Sequence, residues 1–181
     1  MREKIEIPLS KNKLFLGIGA SILFVFLAIW LFLNAGSFQE YSFRLLRNPI
    51  VVKGVGVLGI LFCGATGFFG FKKLFDKKAG LIIDSHGITD NTNASSVGLI
   101  EWNDISEIKT QQVMSTKFIL INVTDPEKYI GRAKSVIKAK LMRSNMKMYG
   151  TPLSITSNTL KYDFGKLEQL IQTEFKKKGT I

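Results

Sequence analysis

The first residues in this chain whose types and spacing suggest chemistry are three glycines. The stretch "KGVGVLGILFCGATGFFGFKK", Lys53–Lys73, contains a complete G-x-G-x-x-G at Gly54, Gly56 and Gly59, with Ile50, Val51 and Val52 before it and Asp76 beyond it. That is the fingerprint of a dinucleotide-binding turn, where glycines let the backbone approach a pyrophosphate and an acid holds the ribose. Such a turn needs an amphipathic helix behind it, one side on a sheet and the other in water. Gly54–Phe71 instead has no charge in eighteen positions and distributes Phe62, Phe68, Phe69 and Phe71 over the whole segment. A helix apolar all round belongs in lipid or in a large core, and a chain of 181 residues has no large core to offer. The fingerprint is therefore a coincidence within a glycine-rich spanning helix.

The remaining reactive groups are sparse. The single histidine, His86, falls in an expected hairpin turn, where it is solvated. One histidine and one cysteine, Cys63, cannot supply a metal site, which needs several ligands at workable spacing. Glu101, Asp104 and Glu107 cluster in sequence, but on strands and a turn they read as acids capping Asn103-Asp104 and facing water. Trp102 reads as a core residue. No nucleophile elbow, Walker A or zinc-protease motif occurs. The expectation is a protein that is not an enzyme, with no cofactor and no metal.

Leu14–Leu33 is a second uncharged run, with fourteen of twenty residues Leu, Ile, Val or Phe. About 20 apolar residues in a helix match the ~30 Å hydrocarbon core of a bilayer. The run is too long for a signal-peptide core, and "LNAGS" makes a poor cleavage site. Two spans make a hairpin: transmembrane helix 1 over 14–33, a short external loop over 34–50 and helix 2 over 51–71, between a basic N-terminal arm (1–13) and a basic linker (72–79). Gly59, Cys63 and Gly67 form a small-residue ridge for helix packing, with Gly17 and Ser21 as a matching groove. The ridge could equally join a second copy of the chain. Arg2, Lys4, Lys11, Lys13, Lys72, Lys73, Lys77 and Lys78 flank the hairpin, against Arg44, Arg47 and Lys53 in the loop; this bias places both termini in the cytoplasm.

Residues 80–181 suffice for one small domain. Strand-like runs fall at Leu81–Asp84, Ile88–Asn91, Gly98–Trp102, Ile105–Thr110 and Lys117–Val123, with Gly87 suited to a positive φ in the first turn. Asp125-Pro126 starts a helix that runs roughly over Glu127–Met148. A strand at Leu153–Thr156 and a closing helix, Phe164–Lys178 with Gly179 after it, complete an α+β layout.

"LIIDSHGITD" followed by "IEWNDISEI" resembles the opening of bacterial pleckstrin-homology-like (PH-like) domains, on Asp84, Gly87, Ile88, Ile100, Trp102, Asp104 and Ile105. With two spans ahead of it, the chain resembles a family of small bacterial inner-membrane proteins that carry a cytoplasmic PH-like domain. The resemblance implies an antiparallel sheet or barrel plugged by the C-terminal helix, here with a basic helix inserted before the last strand. It implies a binding or scaffolding module, not an enzyme.

The strongest remaining signal is charge. Arg132, Lys134, Lys138, Lys140, Arg143 and Lys147 lie between Gly131 and Tyr149 with no acid among them. On a continuous helix, Arg132, Lys140, Arg143 and Lys147 share an arc of about 80°. Beside it runs an apolar stripe of Ala133, Ile137, Leu141 and Met148. A basic amphipathic helix suits anionic lipid headgroups or an acidic protein partner; the alternative is a stripe packed on the barrel with its cations solvated. Nucleic acid is not expected. Most of the +11 net charge belongs to the membrane flanks, and residues 80–181 hold fourteen basic against ten acidic residues. The expected function is a membrane-anchored binding or scaffold protein whose PH-like domain contacts a protein partner or the anionic bilayer surface. The alternative is an immunity or protective protein that meets a toxin or complex through its spans.

Overall fold

The computed structural model describes residues 4–38, 47–114 and 116–178. Arg2, Arg44 and Gly179, used above for charge bias and helix capping, lie outside these. The chain forms two compact units: Lys11–Asp76, and the residues before Lys11 together with those from Lys77 onward.

The first unit is a helical hairpin, α1 (Lys11–Leu33) and α2 (Pro49–Leu74). Asn48 caps α2, its side chain accepting from the Ile50 N–H at 2.9 Å, and Pro49 takes the first position, where no N–H is needed. At 1.5 Å per residue the helices are about 35 and 39 Å long, enough to cross a hydrocarbon core of about 30 Å. Their large side chains point outward: Leu16 is 77% exposed and Phe62 73%. A core helix of a water-soluble protein would bury such residues. Two hydroxyls in the apolar stretches are satisfied inside their own helices, Ser21 donating to the Gly17 carbonyl at 2.9 Å and Thr66 to the Phe62 carbonyl at 2.6 Å.

The second unit is α+β. A four-stranded antiparallel sheet runs in the order β1 (Ile5–Ile7), β2 (Leu81–Ile83), β3 (Gly87–Asp90), β4 (Gly98–Glu101). A three-stranded one runs β5 (Ile105–Val113), β6 (Thr116–Val123), β7 (Leu153–Thr156). Three helices join them: α3 (Pro126–Gly131), α4 (Val136–Tyr149) and α5 (Phe164–Lys178). Alternate residues of both sheets meet in one core, Leu81, Ile83, Ile88 and Ile100 from the first and Ile119, Ile121 and Ile155 from the second. The apolar stripe of α5 closes it through the fully buried Leu167 and Ile171. Trp102 is buried there too, donating from Nε1 to the Asp84 carbonyl at 2.8 Å and stacking on Phe175.

Three expectations need correction. The N-terminal residues are not merely a basic arm: Ile5–Ile7 form a strand paired with Ile83–Leu81, and Ile7 is buried in the core. Gly87 serves close approach, not a positive φ. An added Cβ would sit 2.0 Å from the Ile100 carbonyl oxygen, while among the described residues the glycines with positive φ are Gly98 and Gly150. The helix expected over Glu127–Met148 is two helices. α3 ends at Gly131, the Arg132 N–H closing back onto the Tyr129 and Ile130 carbonyls. Ser135 then adopts extended backbone and caps α4 by accepting from the Lys138 N–H at 3.2 Å.

Candidate functional site

The acids Glu101 and Asp104 do not stand in water as a turn cap. Asp125 starts α3 by accepting from the Lys128 N–H, which sets Lys128, Tyr129 and Arg132 over the single 3-10 turn Trp102–Asp104. Lys128 Nζ lies 2.5 Å from Glu101 Oε2 and 2.6 Å from Asp104 Oδ2. The Tyr129 hydroxyl donates to Asp104 Oδ2 at 2.6 Å and accepts from the Glu101 N–H at 3.1 Å. The hydrogen bonds from Lys128, then Tyr129, hold the Asp104 carboxyl down to about 2, and burial followed by the Asp104 bond pushes the Tyr129 phenol up to about 12. Asp104 therefore stays ionised and Tyr129 protonated at neutral pH. Neither is poised to exchange a proton, and the cluster is a clamp between α3 and the sheet. Glu107 takes no part: it pairs with Lys109 at 2.8 Å and accepts from Asn122. Sequence reasoning misses the clamp's partners because Lys128, Tyr129 and Arg132 fall within the one continuous helix expected over Glu127–Met148, with Arg132 on its basic arc. His86 is exposed, on the turn where Asp84 accepts from the His86 and Gly87 N–H groups.

Arg132 leaves the expected basic arc. It donates from Nη1 to the Leu99 carbonyl at 3.0 Å and from Nη2 to Glu101 at 3.1 Å, and its guanidinium lies 4.8 Å from the Tyr129 ring centre. Having no α4 turn beneath it, the side chain folds back on the sheet. Lys140, Arg143 and Lys147 do remain together, all exposed on α4 within about 60° of one another. Arg143 is 3.9 Å from Glu127, and both side chains are more than half exposed.

The apolar stripe beside these cations does not pack on the sheets. α4 buries Met142 completely and packs Ala139 against the core, and Asn145 donates to Ser95 Oγ at 3.3 Å. The opposite side carries Ile137 (73% exposed), Leu141 (42%) and Met148 (60%), joined by Val136 (73%) among the lysines. Within the stripe only Ala133, which precedes α4, touches the core. The outward side of α4 is thus a continuous strip, half cationic and half apolar. Single exposed apolar residues are ordinary; four beside three cations on one helix face form a pattern that in general marks interaction surfaces.

The glycine ridge is used within the hairpin. A Cβ on Gly59 would lie 3.0 Å from Ala28 Cβ, and one on Gly67 would lie 3.1 Å from Ser21 Cβ. Gly56 and Gly70 meet Phe32 and Ile18 in the same way, whereas Gly17 does not take part. Cys63, between Gly59 and Gly67, is a free thiol. Gly59 and Gly67 thus pack on α1 of the same chain, while Ser21, Cys63 and Gly67 also border an apolar groove of about 350 Å³ along the hairpin. No family model, no curated protein and no solved structure matches the chain.

Proposed function

We propose that this chain is a membrane-anchored binding protein, without a reaction of its own, whose C-terminal domain docks on the anionic face of the membrane that its helical hairpin crosses. The observation that carries this reading is the outward side of α4, where Val136, Ile137, Leu141 and Met148 lie exposed beside Lys140, Arg143 and Lys147. Apolar side chains enter the boundary between headgroups and acyl chains, while cations on the flank meet lipid phosphates. Each cation adds roughly 1 kcal/mol at such a surface.

The pairing of β1 with β2 supports the topology. The chain leaves β1 at Ile7, runs through α1 and α2 and re-enters the sheet at Leu81, so both ends of the hairpin join one sheet. A hairpin that crosses twice meets that requirement, and a single crossing does not. The basic flanks favour the cytoplasmic side for the domain. The four-stranded and three-stranded antiparallel sheets with a C-terminal helix on the shared core support a PH-like module of the bacterial inner-membrane kind. The alternative, protection through the spans, has less of the glycine ridge to use, because Gly59 and Gly67 pack on α1.

A spin label on Leu141→Cys, in a Cys63→Ser background, tests the docking. The full chain is placed in nanodiscs of phosphatidylcholine alone or mixed with phosphatidylglycerol, and label depth is read by power saturation. The label should enter the headgroup region only in the anionic discs and leave it at high salt. A label that stays equally aqueous in both overturns the reading.

A further inference from the structure

A second cationic feature lies on the four-stranded sheet, distinct from the outward side of α4. The outer face of that sheet, opposite the buried Ile83 and Ile88, carries Glu6, Ile82 and Thr89 in one cross-strand row. Over it opens a pocket of about 480 Å³. Five cations line it: Lys77, Lys78, Arg132, Lys134 and Lys138. Two carboxylates face them, Glu6 and Asp90, and Glu6 is already paired with Lys4 at 2.6 Å. The excess is positive, and one of the cations is pre-set, because Arg132 is held by the Leu99 carbonyl, Glu101 and the Tyr129 ring. The volume falls in the range of small-ligand sites, roughly 300–1,000 Å³.

We infer that this pocket takes the phosphate-bearing headgroup of an anionic lipid. The lipid source follows from the chain path and rests on the reading that the hairpin crosses the membrane. Lys77 comes three residues after Leu74, the end of α2, a span of at most about 10 Å. An amine so close to a span end sits at headgroup depth, where lipid phosphate is the abundant anion. Lys134, in the link before α4, and Lys138, in its first turn, line the same pocket, so one phosphate is met by the chain leaving the membrane and by the entry to the helix that docks on it.

Native mass spectrometry of the full chain, released from detergent doped with phosphatidylglycerol, phosphatidic acid or phosphatidylcholine, tests this. The wild type should retain one anionic lipid in preference to phosphatidylcholine. Lys77→Gln/Lys134→Gln should weaken that retention on the order of thirtyfold. Lys109→Gln/Lys161→Gln, an equal loss of charge elsewhere, should leave it unchanged. Equal retention of all three lipids, or of anionic lipid by wild type and pocket variant, overturns the inference. So does glycerol 3-phosphate binding with the same lysine dependence but no retained lipid, which assigns the pocket to a soluble phosphate ester. The Leu141 label keeps the two proposals apart: immersion without retained lipid removes the pocket and leaves the docking of α4 standing.

Discussion

Replacing Asp104 with Asn tests whether the α3 clamp holds the domain together. The substitution keeps the shape and removes the charge. Hydrogen bonds from Lys128 and Tyr129 lower the Asp104 carboxyl from 3.8 to about 2, which corresponds to an upper bound of about 2.5 kcal/mol of folding stability at pH 7. The side chain is 21% exposed, so solvent screening trims this to about 1–2 kcal/mol. Lys128 is not orphaned by the change, because Glu101 remains 2.5 Å away, and that limits the loss. A domain of this size should melt roughly 5–10 °C lower. Trp102 reports the unfolding, once Trp30→Phe has removed the indole of α1. A depressed carboxyl stabilises fully above its unfolded value near 4, and that stability is lost as pH falls through about 2. The gap between wild type and variant should therefore be full at pH 7 and close between about pH 4 and pH 2. Coincident melting temperatures at pH 7, or a gap that persists unchanged at pH 2, would refute the clamp.

Two further outcomes follow from packing. Gly59→Leu should separate the hairpin helices, because its Cβ alone meets Ala28 at 3.0 Å, while Gly54→Leu should be silent, having nothing within 4 Å; the yield of a Ser21→Cys/Gly67→Cys disulfide, with Cys63→Ser, reads the difference. Ile7→Glu should destabilise the C-terminal domain by about 3 kcal/mol or more, since Ile7 is 2% exposed and a carboxylate there finds no partner. The Trp102 melt measures it, and an unchanged midpoint would show that β1 is dispensable.

Six of the seven strands and the closing helix were legible because their apolar alternation is local and their turns carry Asp84-Ser85-His86-Gly87 or Asn103-Asp104. β1 was not. Its three residues, Ile5–Ile7, alternate but are too short a run to stand out, and their partners at Leu81–Ile83 come only after both helices have intervened. The break between α3 and α4 was hidden because helical spacing continues across Gly131–Ser135; the signal was Gly131 followed by a serine N-cap. Without the break, Arg132 falls on the arc of Lys140, Arg143 and Lys147 and is assigned to the surface. The face of α4 was undecidable for a related reason. The helix has two apolar sides, Ala139/Met142 and Ile137/Leu141/Met148, and periodicity alone does not say which one the core takes.

That second side gains meaning from the tether. For a free protein, three cations at roughly 1 kcal/mol each and four half-immersed side chains give weak membrane binding, because association also costs translational and rotational freedom. On the proposed reading that freedom is already lost. β1 and β2 fasten the domain to both ends of the hairpin, so a bilayer crossed by α1 and α2 stands within reach at high effective concentration. A surface too weak to recruit a soluble domain is then strong enough to choose the orientation of an anchored one, and weak enough to be released by salt or by a competing partner. Uncoupling the tether distinguishes this from intrinsic affinity. Flexible glycine–serine insertions at both joins, between Ser10 and Lys11 and between Asp76 and Lys77, lengthen the tether and leave β1, Lys140, Arg143 and Lys147 unchanged; on this reasoning the Leu141 label should then emerge progressively from anionic nanodiscs as the insertions grow, whereas a label that stays equally immersed would mean that α4 binds lipid by its own strength.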